Sequence, residues 1–282
     1  MYPAAFDYFA PRSLDEAVRL LAEHGEDAKI LAGGHSLLPA MKLRLAQPPV
    51  LIDVGRVPEL AGIRMDGDTL VIGATTTHSA IEHSELVRQR CPLLAEVAPH
   101  IGDVQVRHRG TIGGSLAHAD PAGDWPAAAL ALDATLTAFG PGGQRSIAAR
   151  DFFLDILTTA LAPDEVLTEI RIPNPGRRAA YEKARNRASG YAVVGVAVAV
   201  ETAGGTVSTV AVGVTGAAGK PSRATAAEAA LAGKPISAEA IAAAAAHAAD
   251  GLDCLSDLQA SSAYRAHLVQ VLTQRALRRA LL

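Results

Sequence analysis

The sequence predicts an α+β protein in two parts, and three observations carry that prediction. Residues 1–175 alternate short aliphatic runs with apolar residues at helical spacing. Pro173-Asn174-Pro175-Gly176 then breaks both patterns and reads as a linker. Residues 176–282 hold strand-like runs first and helical runs afterwards, the order of an antiparallel sheet backed by helices. With 282 residues in all, either part is long enough to bury a core of its own.

The elements follow in order. Ser13-Leu14-Asp15-Glu16 is a capping-box pattern, and Leu14, Ala17, Val18 and Leu21 continue it at helical spacing to Gly25. Lys29 to Ala32 and Val50 to Val54 read as strands, so residues 1 to about 55 form a small α/β unit. Gly62 to Met65 and Thr69 to Ile72 read as a hairpin, and Thr75 to Ser79 as the cap of a helix after it. Pro92 to Ala98 and Ala127 to Leu132 are helical, the second opened by Asp124 as N-cap with Pro126 in its first turn. Leu136 to Phe139 and Arg145 to Ala148 make a second hairpin, and Val166 to Ile172 a strand that closes a unit of residues 56–175. Past the linker, Tyr181 to Arg185, Ala192 to Glu201 and Val207 to Val214 are sheet strands. Ala224 to Leu231, Ala238 to Ala249 and Tyr264 to Leu281 are helices.

Composition removes several function classes. The formal net charge is −3 with no basic stripe, which argues against a nucleic-acid binder. The local clusters at Arg107, Arg109, Arg177, Arg178, Arg185 and Arg187 read as solvated or interface charges. Cys91 and Cys254 are the only cysteines, too few for a zinc ribbon or a four-thiolate cluster. Few cysteines and no charged-then-apolar leader fit a cytoplasmic protein. No apolar run is long enough to span a bilayer. His118-Ala119-Asp120 offers too few ligands for a metal, and no Ser-His-Asp nucleophile set stands out.

Two glycine stretches carry chemistry. In Ala32-Gly33-Gly34-His35-Ser36-Leu37, paired glycines lie between a strand and a helical turn. Such a turn is often only a turn, but it also lets successive backbone N–H groups form a concave nest for an anion. Arg109-Gly110-Thr111-Ile112-Gly113-Gly114-Ser115 repeats the logic between two hydroxyl residues. Two nests suit a ligand with a doubly anionic middle, such as a dinucleotide pyrophosphate. Neither Gly-x-Gly-x-x-Gly nor a Walker sequence is present, which speaks against a Rossmann dinucleotide fold and a P-loop NTPase.

These two stretches, the run from Gln105 to Ala128 that contains the second, and Tyr181-Glu182-Lys183-Ala184-Arg185-Asn186 resemble the FAD-binding medium subunits of molybdenum hydroxylases. The likeness runs over essentially the whole chain and is most marked to the aerobic carbon monoxide dehydrogenase type, with xanthine dehydrogenase more distant. It implies a two-part FAD-binding domain of the PCMH or vanillyl-alcohol-oxidase type at 1–175, and a carbon monoxide dehydrogenase flavoprotein C-terminal domain at 176–282. It implies FAD as the cofactor, clasped between Ala32, Gly33, Gly34, His35, Ser36 and Leu37 on one side and Thr111, Gly113, Gly114 and Ser115 on the other. Family correspondence adds Lys29, Ile101, Asp124, Leu161 and Lys183, and Tyr191 is a further candidate to lie over the flavin ring. Two readings stand for several of these: Asp124 as hydroxyl acceptor or plain N-cap, Lys183 near the flavin or on the surface, Tyr191 on the flavin or in a sheet.

The resemblance further implies a large molybdenum-cofactor subunit and a small subunit with [2Fe–2S] clusters as partners, in a dimer of heterotrimers. The chain itself then holds no catalytic side chain and no metal ligand, and passes electrons to a quinone, NAD, oxygen or another acceptor. His118 to Pro126 departs from the strict His-Gly-Asp-Pro-Gly-Asn-Asp-His-Pro of carbon monoxide dehydrogenase. The partner's substrate therefore stays open among carbon monoxide, aldehydes, purines and N-heterocycles. A stand-alone FAD oxidase and an assembly protein without flavin are the rival readings.

Overall fold

Ser13 starts the first helix as the capping pattern predicts: its hydroxyl accepts from Glu16 N–H at 3.2 Å. Glu16 reaches back one residue further than a capping box requires, to Arg12 N–H at 2.9 Å. The computed structural model describes residues 1–282. Its first unit comprises β1 (Asp7–Phe9), α1 (Leu14–His24), β2 (Ala28–Leu31), α2 (Leu37–Lys42) and β3 (Val50–Asp53). The strands pair in parallel in the order β1-β3-β2. Alternation along the strands sorts the core. Ala28, Val50 and Ile52 pack with α1 on one face, and Leu31 and Leu51 pack with Met41 of α2 on the other. β1 was not legible in the sequence, since Asp7-Tyr8-Phe9 is too short for a period.

The second unit runs β4 (Ile63–Asp66), β5 (Thr69–Gly73), α3 (His78–His83), α4 (Glu85–Arg90), α5 (Pro92–Val97), α6 (Val104–Arg109), α7 (Ile112–His118) and α8 (Asp124–Ala131). It continues with β6 (Thr135–Gly140), β7 (Gly143–Ala148), α9 (Ala149–Phe152), β8 (Phe153–Asp155), β9 (Thr158–Thr159) and β10 (Val166–Pro173). Both expected hairpins form. β10 does not close the sheet at an edge: it inserts between the hairpins, giving the five-stranded order β4-β5-β10-β6-β7. Thr77 caps α3 by accepting from Ala80 N–H at 3.2 Å.

Two expectations need correction. The second glycine stretch is not a loop: Gly113 and Gly114 lie in α7, whose N-cap is Thr111. Asp124 is not an N-cap either, because α8 begins at Asp124 itself and Gly123 occupies the cap without a side-chain bond.

The third unit is β11 (Arg178–Arg185), β12 (Ala192–Ala203), β13 (Thr206–Thr215), β14 (Ser222–Arg223), α10 (Thr225–Leu231), α11 (Ala238–Ala245) and α12 (Ser262–Leu281). Its sheet is antiparallel in the order β11-β12-β13-β14. β12 separates two faces by its period of two. Val194, Val196, Val198 and Val200 join α10, α11 and α12 in one core, while Ala197 and Ala199 join α8 in the core of the second unit. Arg177 is not a solvated charge: it is largely buried, donating to Asp133 Oδ2 at 2.9 Å and to Leu132 O at 2.6 Å. Arg107 is likewise fixed, with Nε on Glu82 at 2.8 Å. Both cysteines are free thiols.

Candidate functional site

The turn after β2 is held open at its backbone. The N–H groups of Ala32, Gly33, Gly34, His35, Ser36 and Leu37 donate to no acceptor in the chain. Six consecutive orphan donors are unusual in a folded protein, and Gly34 at φ 74° gives the turn its curvature. His35 Nδ1 meets the carbonyl of Gly33 at 3.0 Å, which ties the turn to itself. The donors run into the start of α2, where backbone N–H groups point outward and the helix dipole is positive.

Gly33 is required by a close approach. A Cβ there would lie 2.1 Å from Arg109 O and 2.7 Å from Gly110 Cα. The two glycine stretches therefore touch, one from the first unit and one from the second. The second stretch does not mirror the first. Ile112 N–H donates to Thr76 O at 3.1 Å, Gly113 N–H to Ala74 O at 2.8 Å, Ser115 N–H to Thr111 O at 3.0 Å, and Gly114 N–H to Thr111 Oγ1 at 3.1 Å. Four of the five backbone N–H groups from Thr111 to Ser115 are thus spent within the chain, and only that of Thr111 donates to nothing. What Thr111 to Ser115 brings to the seam is a close-packed wall and hydroxyl groups. Gly113 serves that packing, since a Cβ on it would lie 2.4 Å from Ala74 Cβ.

A second group of candidate residues forms around Asp124. Its carboxylate is 6% exposed. Lys183 Nζ pairs with it at 2.8 Å, with the lysine side chain 1% exposed, and also donates to His100 O at 3.0 Å. The Tyr181 hydroxyl donates to Asp124 Oδ1. Burial pushes the Asp124 carboxyl above its ordinary value against the pull of Lys183, and drives the Tyr181 hydroxyl well above its own. A buried ion pair is retained where geometry and added hydrogen bonds offset desolvation, and here both partners have them. The surface reading of Lys183 is excluded.

The remaining candidates are placed unevenly. Tyr191 lies in the turn before β12, not in the sheet. Burial first, then the charges of Asp120 and Asp124, raise its hydroxyl. Ile101 and Leu161 are half-buried against the core that contains α5, α7 and α8. Ile101 O accepts from Arg107 at 3.3 Å. Lys29 is exposed on β2, and its side chain makes no bond to any of the others. A separate cavity of about 370 Å³ lies between Leu130, Asp133, Arg150 and residues 220–228, and shares no residue with this site.

Sequence reasoning missed Tyr181, His100, Trp125 and His78. Tyr181 had a signal: on a strand it shares a face with Lys183, two residues on. His78 had none, because its partner, Trp125, is far away in sequence.

Comparison with known proteins bears on the family and the fold. Residues 4–175 match the family model for the FAD binding domain in molybdopterin dehydrogenase, and residues 179–280 that for the CO dehydrogenase flavoprotein C-terminal domain. The carbon monoxide dehydrogenase medium chain of Hydrogenophaga pseudoflava is 50% identical over 74% of this chain and 73% of its own length. The 6-hydroxypseudooxynicotine dehydrogenase complex subunit alpha of Paenarthrobacter nicotinovorans is 39% identical over 100% of this chain and 96% of its own. The solved carbon monoxide dehydrogenase from H. pseudoflava contains a chain that superposes with a TM-score of 0.96 at 46% identity, covering 99% of this chain and 98% of that one.

Proposed function

The chain belongs to the FAD-binding medium subunits of molybdenum hydroxylases, and from that membership we infer that the seam between its two glycine stretches holds the diphosphate of FAD. The observation that carries this is the run of six free N–H groups from Ala32 to Leu37. They present donors and a positive helix end to a dianion, and Gly33 admits the neighbouring backbone where any side chain would collide. The residues present therefore fit the group.

When bound, FAD supplies the electron-carrying chemistry that no side chain of this protein provides. The chain's own residues bind and orient it. Gly33, Gly34, His35, Ser36 and Leu37 hold the diphosphate through backbone N–H groups, with the hydroxyls of Thr111 and Ser115 on the opposite wall. Asp124 and Lys183 form a fixed charge pair, and in this reading they would meet polar groups of the same ligand. Ile101 and Leu161 would offer apolar contact, and Tyr191, half-exposed in its turn, would shield the ring from solvent. Lys29 is the weakest member by position.

In this reading 1–175 is the FAD-binding domain, with parts 1–55 and 56–175, and 176–282 the C-terminal domain. The protein is the FAD-carrying medium subunit of a heterotrimeric hydroxylase. A large subunit carries the molybdenum cofactor and a small one the [2Fe–2S] clusters, and the medium subunit delivers electrons to an external acceptor. Substrate choice rests with the large subunit: related medium chains serve enzymes named for carbon monoxide and for a nicotine derivative. No helix is long and apolar enough to cross a membrane, and we place the assembly in the cytoplasm.

The test is the visible spectrum of the chain co-expressed with its neighbouring subunits, with the flavin released by acid and identified. The expected result is one non-covalent FAD per chain, lost in Gly33→Ala. An intact heterotrimer without flavin overturns the reading.

A further inference from the structure

One buried polar side chain beside the seam is not used by that reading. His78, the first residue of α3, is 4% exposed. Its backbone N–H donates to Gly110 O at 3.0 Å, which docks it against the second glycine stretch. The indole N–H of Trp125 donates to His78 Nδ1 at 2.9 Å. Nδ1 is therefore an acceptor. Burial, with the charges of His35 and Arg107, pushes the imidazole down to about 4, so at neutral pH the ring carries one proton and it sits on Nε2.

That Nε2–H donates to nothing in the chain, since the Trp125 bond is the only one the ring makes. The residue is almost wholly buried, yet this nitrogen is not among the fully occluded orphan atoms of the chain, so it keeps a small opening through which a partner can reach it. Its direction is informative. A Cβ on Gly110 would lie 2.6 Å from Nε2, and a Cβ on Gly33 would lie 2.7 Å from Gly110 Cα. A single glycine thus separates the free imidazole N–H from the turn whose own N–H groups are free. The backbone N–H groups of α7, by contrast, are already spent.

We propose that His78 is a phosphate-binding residue of the seam: its neutral Nε2–H donates to the diphosphate held by Ala32 to Leu37, and Trp125 selects the tautomer that makes it a donor. The inference rests on the FAD reading above. A neutral donor, unlike a lysine, adds a directed hydrogen bond without a buried charge that would need a counter-ion when the cofactor is absent.

The test uses the co-expressed complex, stripped of flavin and titrated by calorimetry with FAD and, separately, with ADP, which carries the diphosphate without the flavin ring. His78→Phe keeps the packing and removes the donor. It weakens FAD and ADP alike by about ten- to a hundredfold, the range for a hydrogen bond to a charged group. His78→Gln, which keeps an N–H at similar reach, recovers most of that loss. Trp125→Phe gives a smaller loss and changes the ¹⁵N signature of the His78 ring from the Nε2–H form to a mixture. Three outcomes overturn the inference alone: wild-type affinity in His78→Phe, a loss for FAD with none for ADP, or Gln losing as much as Phe. A wild-type complex that takes up neither FAD nor ADP overturns the FAD reading and this inference with it.

Discussion

At the scale of single residues, the candidate site holds groups whose ordinary behaviour is suppressed by burial. Asp124 and Lys183 are a charge pair locked among Tyr181 and His100 O, and His78 is a histidine that stays neutral. The latter has a consequence for stability. The ordinary histidine value of 6.5 applies to the unfolded chain, whereas the folded value is about 4. Between them the unfolded chain binds a proton that the folded one does not. The contribution of His78 is therefore fully present above pH 6.5 and is lost as the pH falls toward 4, by about 3 kcal/mol at most. Glu165 acts in a lower window, because the hydrogen bond from Arg145 holds it below its ordinary 4.5. Urea unfolding of wild type and His78→Gln at a series of pH values separates the two. Wild type is expected to lose more stability between pH 6.5 and pH 4 than the variant, and parallel curves would sink the assignment.

At the scale of elements, two glycine pairs that look alike do different work. Gly33 and Gly34 shape an open turn with free donors, whereas Gly113 and Gly114 begin a capped helix with none. The sequence made the first legible because a strand and an apolar helical turn flank it. It hid the second because paired glycines read as a break, although Thr111 three residues before Gly114 is an N-cap spacing and Leu116 follows Ile112 at a helical interval. The glycines are there for packing, which single-sequence patterns do not record. Helix propensity alone would favour alanine at Gly113 by about 1 kcal/mol. The collision with Ala74, at 2.4 Å for Cβ and 2.6 Å for the carbonyl oxygen, involves backbone that cannot swing away. Gly113→Ala is therefore expected to destabilise by about 1–3 kcal/mol, whereas Gly142→Ala, which meets no atom within 4 Å, stays within about 0.5 kcal/mol. Equal midpoints in chemical denaturation for the two variants would show that α7 can shift at no cost.

At the scale of the whole molecule, the units were legible separately and their union was not. Short periods showed the helices and hairpins on either side of the linker. Nothing local showed that the core of the second unit continues into Tyr181, Ala197 and Ala199 of the third. The join is α8, every residue of which is buried. It lies on the small-residue face of the third sheet, so closely that a Cβ on Gly213 would come 2.1 Å from Ala127 O. Asp133, just beyond α8, adds a polar clasp by pairing with both Arg177 and Arg223 from past the linker. Asp124, the first residue of α8, reaches Lys183 and Tyr181 on β11. The FAD-binding half and the C-terminal half therefore share a helix, a core and a charge pair of the site. A fragment of residues 1–175 would expose one side of α8 and leave Asp124 without its lysine. Its expected behaviour is loss of a cooperative unfolding transition and of FAD binding, with both restored when residues 176–282 are co-expressed as a second chain. A fragment that unfolds cooperatively and binds FAD unaided would mean that the seam of glycine stretches suffices, and that Lys183 and its strand tune the cofactor without helping to hold it.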